Sequence, residues 1–365
     1  MSRHLHDAPS PPTPLPPGGE GRSTRINPSP PWGRGWPAAG VFTSGGGRGE
    51  GVLSNAEASW ALRQMKRLIV NADDFGLTDG VNQAIIDAHH DGLLSSATLL
   101  ANGEAFAAAA ALSRQAPRLG VGIHLNLTEG KPVAPASSVP TLINGRGVFA
   151  RKPAGLWRAM LLGRVRAVEI ERELHAQVEK VLAARIAPTH LDSHKHVHAL
   201  PALGKMSLKV ARQYGIKAIR SVAEAWPALG YLLGRFPRAK ARILRQRFNS
   251  LTLSLLYRGW CRRLPQAGVA CAEHFYGVTA TGFLDEELLR EILRRVPDGT
   301  SELMCHPGFV DEALRQTPTR LLEQREKEFQ ALTRPGVKLL AKDLGIQIIN
   351  YGDLANDLHC RAFVQ

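Results

Sequence analysis

Two adjacent aspartates, Asp73 and Asp74, end the apolar run Leu68-Ile69-Val70-Asn71-Ala72 and are followed by Phe75-Gly76. Like charges this close are costly to bury, so a chain that sets them at the end of a core strand has a use for them. Two segments further on carry suitable partners: His124 in Gly122-Ile123-His124-Leu125-Asn126, and the stretch His190-Leu191-Asp192-Ser193-His194-Lys195-His196-Val197-His198. Carboxylates and imidazoles at neighbouring strand ends can hold a divalent cation and activate a water. One aspartate can then bind the cation while its neighbour takes the water's proton. Successive side chains on a strand point to opposite faces, so the chain must bend for both to serve one site. Gly76 and Thr78-Asp79-Gly80 supply that freedom. The plainer alternative is a turn that caps a helix beginning at Asp79.

If the second segment stays extended, His190, Asp192, His194, His196 and His198 share one face. Residues two apart span roughly 6.6 Å, so the ligands of one ion must come from several strands. The expected set is His194, His124 and a carboxylate, with Asp192, His196 and His198 supporting the ligands or touching substrate. The alternative is a histidine-rich surface loop. A further candidate is His306 in Met304-Cys305-His306-Pro307-Gly308, placed to donate a proton to a leaving group or to bind substrate. Cys305 beside it reads as a small buried residue, since nothing nearby marks an activating base. Asp74-Phe75-Gly76 echoes a protein-kinase motif but lacks the Gly-rich loop and the catalytic loop that go with it.

These residues need strand ends to stand on. Short apolar runs predict strands at 67–72, 95–101, 119–127, 188–194, 217–221, 301–305 and 346–351. Helical spacing predicts helices at 79–91, 104–115, 168–184, 201–213, 285–295, 318–333 and 336–344. Gly92, Gly215 and Gly345 fall at the expected helix ends. Such alternation implies an α/β protein with a parallel sheet, open or closed into a (β/α) barrel. Both architectures bind ligands at the C-terminal strand ends, where Asp73, Asp74, His194 and His306 fall.

The rest of the 365 residues bounds the partners. An apolar share of 44% supports a core, and no run approaches the ~20 residues that span a bilayer. No secretory signal is visible. Cys261, Cys271, Cys305 and Cys360 show no C-x-x-C spacing, which points to reduced thiols in a cytoplasmic setting. Residues 1–64 are rich in Pro and Gly and read as a disordered leader, with Met65 as the expected natural start of a 65–365 domain. The stretch from Lys205 to Pro265 carries 14 Lys and Arg and a single acid, Glu224, so +13 of the net +14 lies there. An anionic partner is expected: nucleic acid, a phosphorylated substrate or a membrane surface. No RNP, KH or zinc-finger pattern supports nucleic acid.

Together these motifs resemble the YdjC-like carbohydrate deacetylase family, which includes ChbG and HpnK. The similarity runs from Leu68–Leu77 through Ser96–Gly103, Gly122–Thr128 and Thr189–His198 to Met304–Gly308, within about 66–355. It implies a distorted (β/α) barrel of the glycoside hydrolase/deacetylase type. It implies further that Asp74, His124 and His194 bind one divalent metal, Mg or Zn by expectation. Asp73 is then the general base, with His306 beside the leaving group. The implied reaction removes an acetyl group from an N-acetylated amino sugar. The chain is most similar to the hopanoid branch, which implies an N-acetylglucosaminyl hopanoid; a soluble chitooligosaccharide is the alternative. Leu244, Phe248, Leu251 and Leu255 recur at helical spacing beside Arg238, Arg242 and Arg245. With Trp226, Tyr231, Tyr257 and Trp260 they predict a basic amphipathic insertion at 224–270, resting on the inner face of an anionic membrane. A subunit interface, and hence a homodimer, is the other use of that segment.

Overall fold

The computed structural model describes residues 64–224 and 229–362, the last five as backbone only. The expected leader, apart from residue 64, and Trp226 lie outside the described residues. In chain order the elements are β1 (Lys66–Phe75), α1 (Asp79–Asp91), β2 (Ser96–Leu99), α2 (Phe106–Gln115), β3 (Gly120–Leu125), α3 (Pro153–Leu161) and α4 (Ala167–Ala183). There follow β4 (Leu191–Ser193), α5 (Pro201–Gln213), α6 (Leu229–Arg235), α7 (Lys240–Cys261), β5 (His274–Tyr276), α8 (Glu286–Arg294) and β6 (Gly299–Cys305). The chain ends with α9 (Glu312–Gln316), α10 (Glu323–Thr333), α11 (Pro335–Asp343), β7 (Gln347–Ile348) and α12 (Tyr351–Ala362).

Every pairing between these strands is parallel, in the order β4-β3-β2-β1-β6-β5. Strand β7 pairs with Arg67 and Leu68 at the start of β1, below the point where β2 joins it. The expected strand at 217–221 forms no ladder. Single parallel bridges, Leu191 to Ile219, Ala218 to Ala270 and Glu224 to Phe275, instead link the edge strands β4 and β5 through 218–224. The result is a distorted barrel, regular on one half and irregular on the other. β1 is buried along nearly its whole length, which explains why apolar residues occupy successive positions at Leu68-Ile69-Val70 instead of alternating with polar ones. Thr78, not Asp79, caps α1, its hydroxyl accepting from the Val81 amide.

The structure corrects two further expectations. First, the extended run ends at Ser193: residues 194–199 form a 3₁₀ turn, with Lys195 (φ 54°) and His196 (φ 55°) in the left-handed region. The turn folds His194 back over the strand ends and sends His198 inward, where its Nδ1 lies 2.6 Å from Ser193 Oγ. The five polar residues therefore do not share a face. Second, Tyr257 and Trp260 do not stand at a headgroup boundary. They lie on the buried side of α7, edge to face at 5.2 Å, and the Trp260 indole occupies the space a side chain at Gly204 would need.

His190 shows how tightly the barrel interior is filled. Its ring stacks on Tyr351 with centroids 3.7 Å apart, and a Cβ at Gly122 would come within 2.4 Å of it. Burial, reinforced by the nearby Arg220 and His124, pushes His190 down to about 3 against the opposing pull of Asp192. In the unfolded chain the same ring takes a proton near pH 6.5. The unfolded state therefore binds more protons between these values, and the stability His190 contributes is complete above about pH 6.5 and lost as pH falls towards 3. His190→Gln should flatten the acid limb of a denaturation-midpoint profile over that window; an unchanged slope would refute the assignment.

Candidate active site

Asp74 is the pivot of the strand ends. It adopts φ 68°, and the register of β1 against β2 shifts between Ala72 and Phe75. This bulge turns Asp73 and Asp74 into the same cavity. The bend resides in Asp74 itself, which bears local strain, and not only in the glycines after it. Asp74 Oδ2 accepts from the Arg325 guanidinium of α10 at 2.6 Å. Its Oδ1 is buried without a hydrogen-bond partner, 3.3 Å from His194 Nδ1 and 3.7 Å from His124 Nε2. Burial alone would raise this carboxyl, but Arg325, then His194 and His124, hold it well below the usual carboxylate range.

The two imidazoles are aimed from behind. Asp192 Oδ1 lies 2.7 Å from His124 Nδ1 and Thr98 Oγ1 lies 3.1 Å from it, leaving Nε2 free to face Asp74. His194 Nε2 lies 3.0 Å from Glu129 Oε2, and Lys195 pairs with the other oxygen of Glu129. Burial disfavours protonation of His194, yet Asp74 and Glu129 outweigh it and push the group up to about 9. A carboxylate oxygen with nothing to accept, facing two ring nitrogens fixed by their own partners, is a donor set that fits a divalent cation. A second grouping, Asp73, His124 and Asp192, is geometrically close enough to hold an ion but already contains a cation, the guanidinium of Arg220.

Arg220 is fully buried and gathers three carboxylates. It donates to both oxygens of Asp73 at 2.7 and 2.9 Å, and its Nε donates to Glu302 Oε1 at 2.8 Å. It also pairs with Asp192 Oδ2 at 2.6 Å. Tyr351 donates to the other oxygen of Glu302. On the far side of Asp73, His306 Nε2 lies 4.0 Å from Oδ2. The His306 backbone amide donates to Glu328 of α10 at 2.6 Å. Burial pushes His306 down to about 4, against the opposing pull of Asp73 and Asp74, so its ring is neutral at pH 7. That differs from the protonated donor expected there.

The cavity holding these groups has a volume of about 740 Å³. Asp73, Asp74, His124, His194, His196 and His306 all line it, whereas Asp192 and His198 stand behind it. His196 keeps a buried Nδ1 without a partner. Cys305 is buried and far above the ordinary thiol range through burial and nearby carboxylates, as befits a packing residue. Arg220, Glu129, Arg325, Glu302 and Glu328 were not singled out from the sequence. Two of them left a signal there: Arg220, a cation within the apolar run Ala218-Ile219-Arg220-Ser221-Val222, and Glu302, an anion within the predicted strand 301–305.

A parallel (β/α) barrel with a carboxylate–imidazole cluster that could hold a cation at its C-terminal strand ends places the chain among the α/β barrels with a candidate site at that face. Comparison with known proteins narrows the class. The family model described as YdjC-like protein matches residues 67–343. A carbohydrate deacetylase of Brevibacillus brevis is 36% identical over 292 residues, covering 79% of this chain and 99% of its own. A chitooligosaccharide deacetylase of Serratia marcescens is 32% identical over 293 residues, with 79% and 99% covered. The crystal structure of an Enterococcus faecalis protein described as a cellobiose-phosphate cleavage protein superposes with a TM-score of 0.61 at 28% identity, covering 80% and 99% of the two chains. The chain belongs to the YdjC-like protein family.

Removing Arg220 would leave Asp73, Asp192 and Glu302 buried together without their cation. Arg220→Ala should therefore destabilise the fold by about 3–5 kcal/mol in chemical denaturation. A loss under 1 kcal/mol would mean that the three carboxylates are neutralised by other means.

Proposed function

We propose that the chain is a metal-dependent carbohydrate deacetylase that hydrolyses the N-acetyl group of an amino sugar, releasing acetate and the free amine. The observation that carries this reading is the orphaned Asp74 Oδ1 facing His124 and His194, beside a second carboxylate held in place by Arg220. The names of the Brevibacillus and Serratia relatives support the amide bond as the target.

Asp74, His124 and His194 would hold the cation, either Mg or Zn. Once bound, it supplies a Lewis acid that acidifies water and draws charge from the acetamide carbonyl. Asp73 is the general base, its carboxylate oriented by the two Arg220 bonds and removing a proton from the attacking water. His306, neutral and 4.0 Å from Asp73, is placed to receive that proton and pass it to the departing nitrogen. A ring that starts neutral and is charged only during turnover serves as a relay. Asp192 keeps His124 in the tautomer that presents Nε2. His196, with its free buried nitrogen on the cavity wall, contacts the sugar, and His198 braces the turn that carries it.

Acetate release should disappear on chelation and return when a divalent ion is restored; activity that survives chelation would remove the metal from the mechanism. Asp73→Asn should lower turnover by about 10²–10⁴-fold while metal affinity stays within a few-fold. Near-normal turnover in that variant would remove Asp73 from the role of base.

Two substrate classes are open to this reading. A soluble chitooligosaccharide is supported by the name of the Serratia relative. A lipid-linked sugar, an N-acetylglucosaminyl hopanoid met by a cytoplasmic protein at the inner membrane face, is supported by Leu253 and Leu256 on the cavity wall and by the basic helix that carries them. Turnover of diacetylchitobiose measured beside that of a lipid-linked N-acetylglucosamine separates them: a preference of tenfold or more for either settles the class.

A further inference from the structure

Helix α7 presents three faces to three surroundings. Successive residues advance by about 100°, so side chains three, four, seven and eleven apart fall close together. Ile243, Tyr257 and Trp260 face the core, while Asn249, Leu253 and Leu256 line the catalytic cavity. The third face consists of Leu244, Phe248, Leu251 and Leu255, which are 51%, 70%, 51% and 73% exposed. These four form a stripe about 17 Å long. Thr252, which also lines the cavity, lies between the stripe and the cavity face, so the stripe runs along the cavity rim.

A comparable element stands on another wall. Helix α3 sends Trp157 into the cavity lining, and one turn later, in the same helical row, Leu161 is 74% exposed. Large apolar side chains gathered at a rim mark a surface that is covered in use.

The charges around the stripe decide what covers it. From Lys240 to Arg263 there are seven Lys and Arg and no Asp or Glu. Arg245, Arg258 and Arg262 are exposed on or beside the stripe, with no ion pair among the described residues. A second copy of the chain docked stripe to stripe would set these three arginines against their own counterparts. A nucleic acid would satisfy the charge but not the aliphatic side chains, which offer one aromatic ring for stacking. An anionic bilayer satisfies both, phosphates taking the arginines and the acyl boundary taking the leucines.

We propose that the α7 stripe and its arginines dock on an anionic membrane surface, with the catalytic cavity opening at the lipid–water boundary. Docking stands independently of the catalytic reading; its use in admitting a sugar attached to a lipid rests on that reading.

The test uses the full chain and sedimentation with vesicles of phosphatidylcholine containing 30% phosphatidylglycerol, alongside pure phosphatidylcholine. The protein should pellet with the anionic vesicles and stay in solution with the neutral ones. Phe248→Glu combined with Leu255→Glu should weaken anionic-vesicle binding by at least about tenfold, and Arg258→Glu should weaken it less. Acetate release from a soluble N-acetyl sugar reports the fold and the catalytic reading separately, and the variants should retain it. Wild-type protein that stays in solution with anionic vesicles would overturn docking. So would a double variant that binds as well as wild type, or a wild-type dimer in sedimentation equilibrium that the double variant converts to monomer.

Discussion

One guanidinium inside the barrel holds the catalytic end of this protein together. Arg220 reaches Asp73 at the end of β1, Glu302 on the neighbouring β6, and Asp192 on β4, three strands away from β1 across the sheet. Burying three carboxylates is affordable only around a cation whose donors can meet several of them in fixed directions, which a planar guanidinium does and an ammonium does not. It also sits where the barrel is least regular, in the 218–224 segment that bridges β4 to β5. The irregular half of the barrel is thus fastened by charge where backbone pairing is sparse.

Through the same residue the two halves of the site are made consistent. Asp192 shares its oxygens between Arg220 and His124, so the orientation of the cation-facing imidazole and that of the base share one anchor. Helix α10 does the equivalent from outside the sheet: Arg325 fixes Asp74 and Glu328 fixes the backbone of His306.

How far this was legible in the sequence depended on whether a local pattern carried the information. Helices 79–91 and 201–213 were readable to the residue because their buried faces repeat with helical period and their ends carry Thr78 and Pro201 as start signals. The strand at 217–221 looked equally clear, but its residues meet β4 and β5 through single bridges, a tertiary outcome that no local pattern encodes. β5, only three residues long, was invisible for the same reason. In the site, Asp73, Asp74, His124 and His194 were legible because their residue types are rare in strands. Glu129 and Arg325 were not, since a lone charged residue in a loop or on a helix is ordinary. His196 and His198 were placed on an extended run that turns at His194, because a left-handed backbone at Lys195 and His196 has no glycine to announce it. Tyr257 and Trp260 were assigned to the surface by composition, when the three-dimensional partner Gly204 decides that they lie inside.

The divided allegiance of Asp74 has a consequence for the fold. One of its oxygens is committed to Arg325 and the other is left for an ion, so the carboxylate is never wholly dependent on the ion for its neutralisation. With a cation bound at the proposed site, the fold around Asp74 would still not hang on it, because Arg325 already balances the carboxylate.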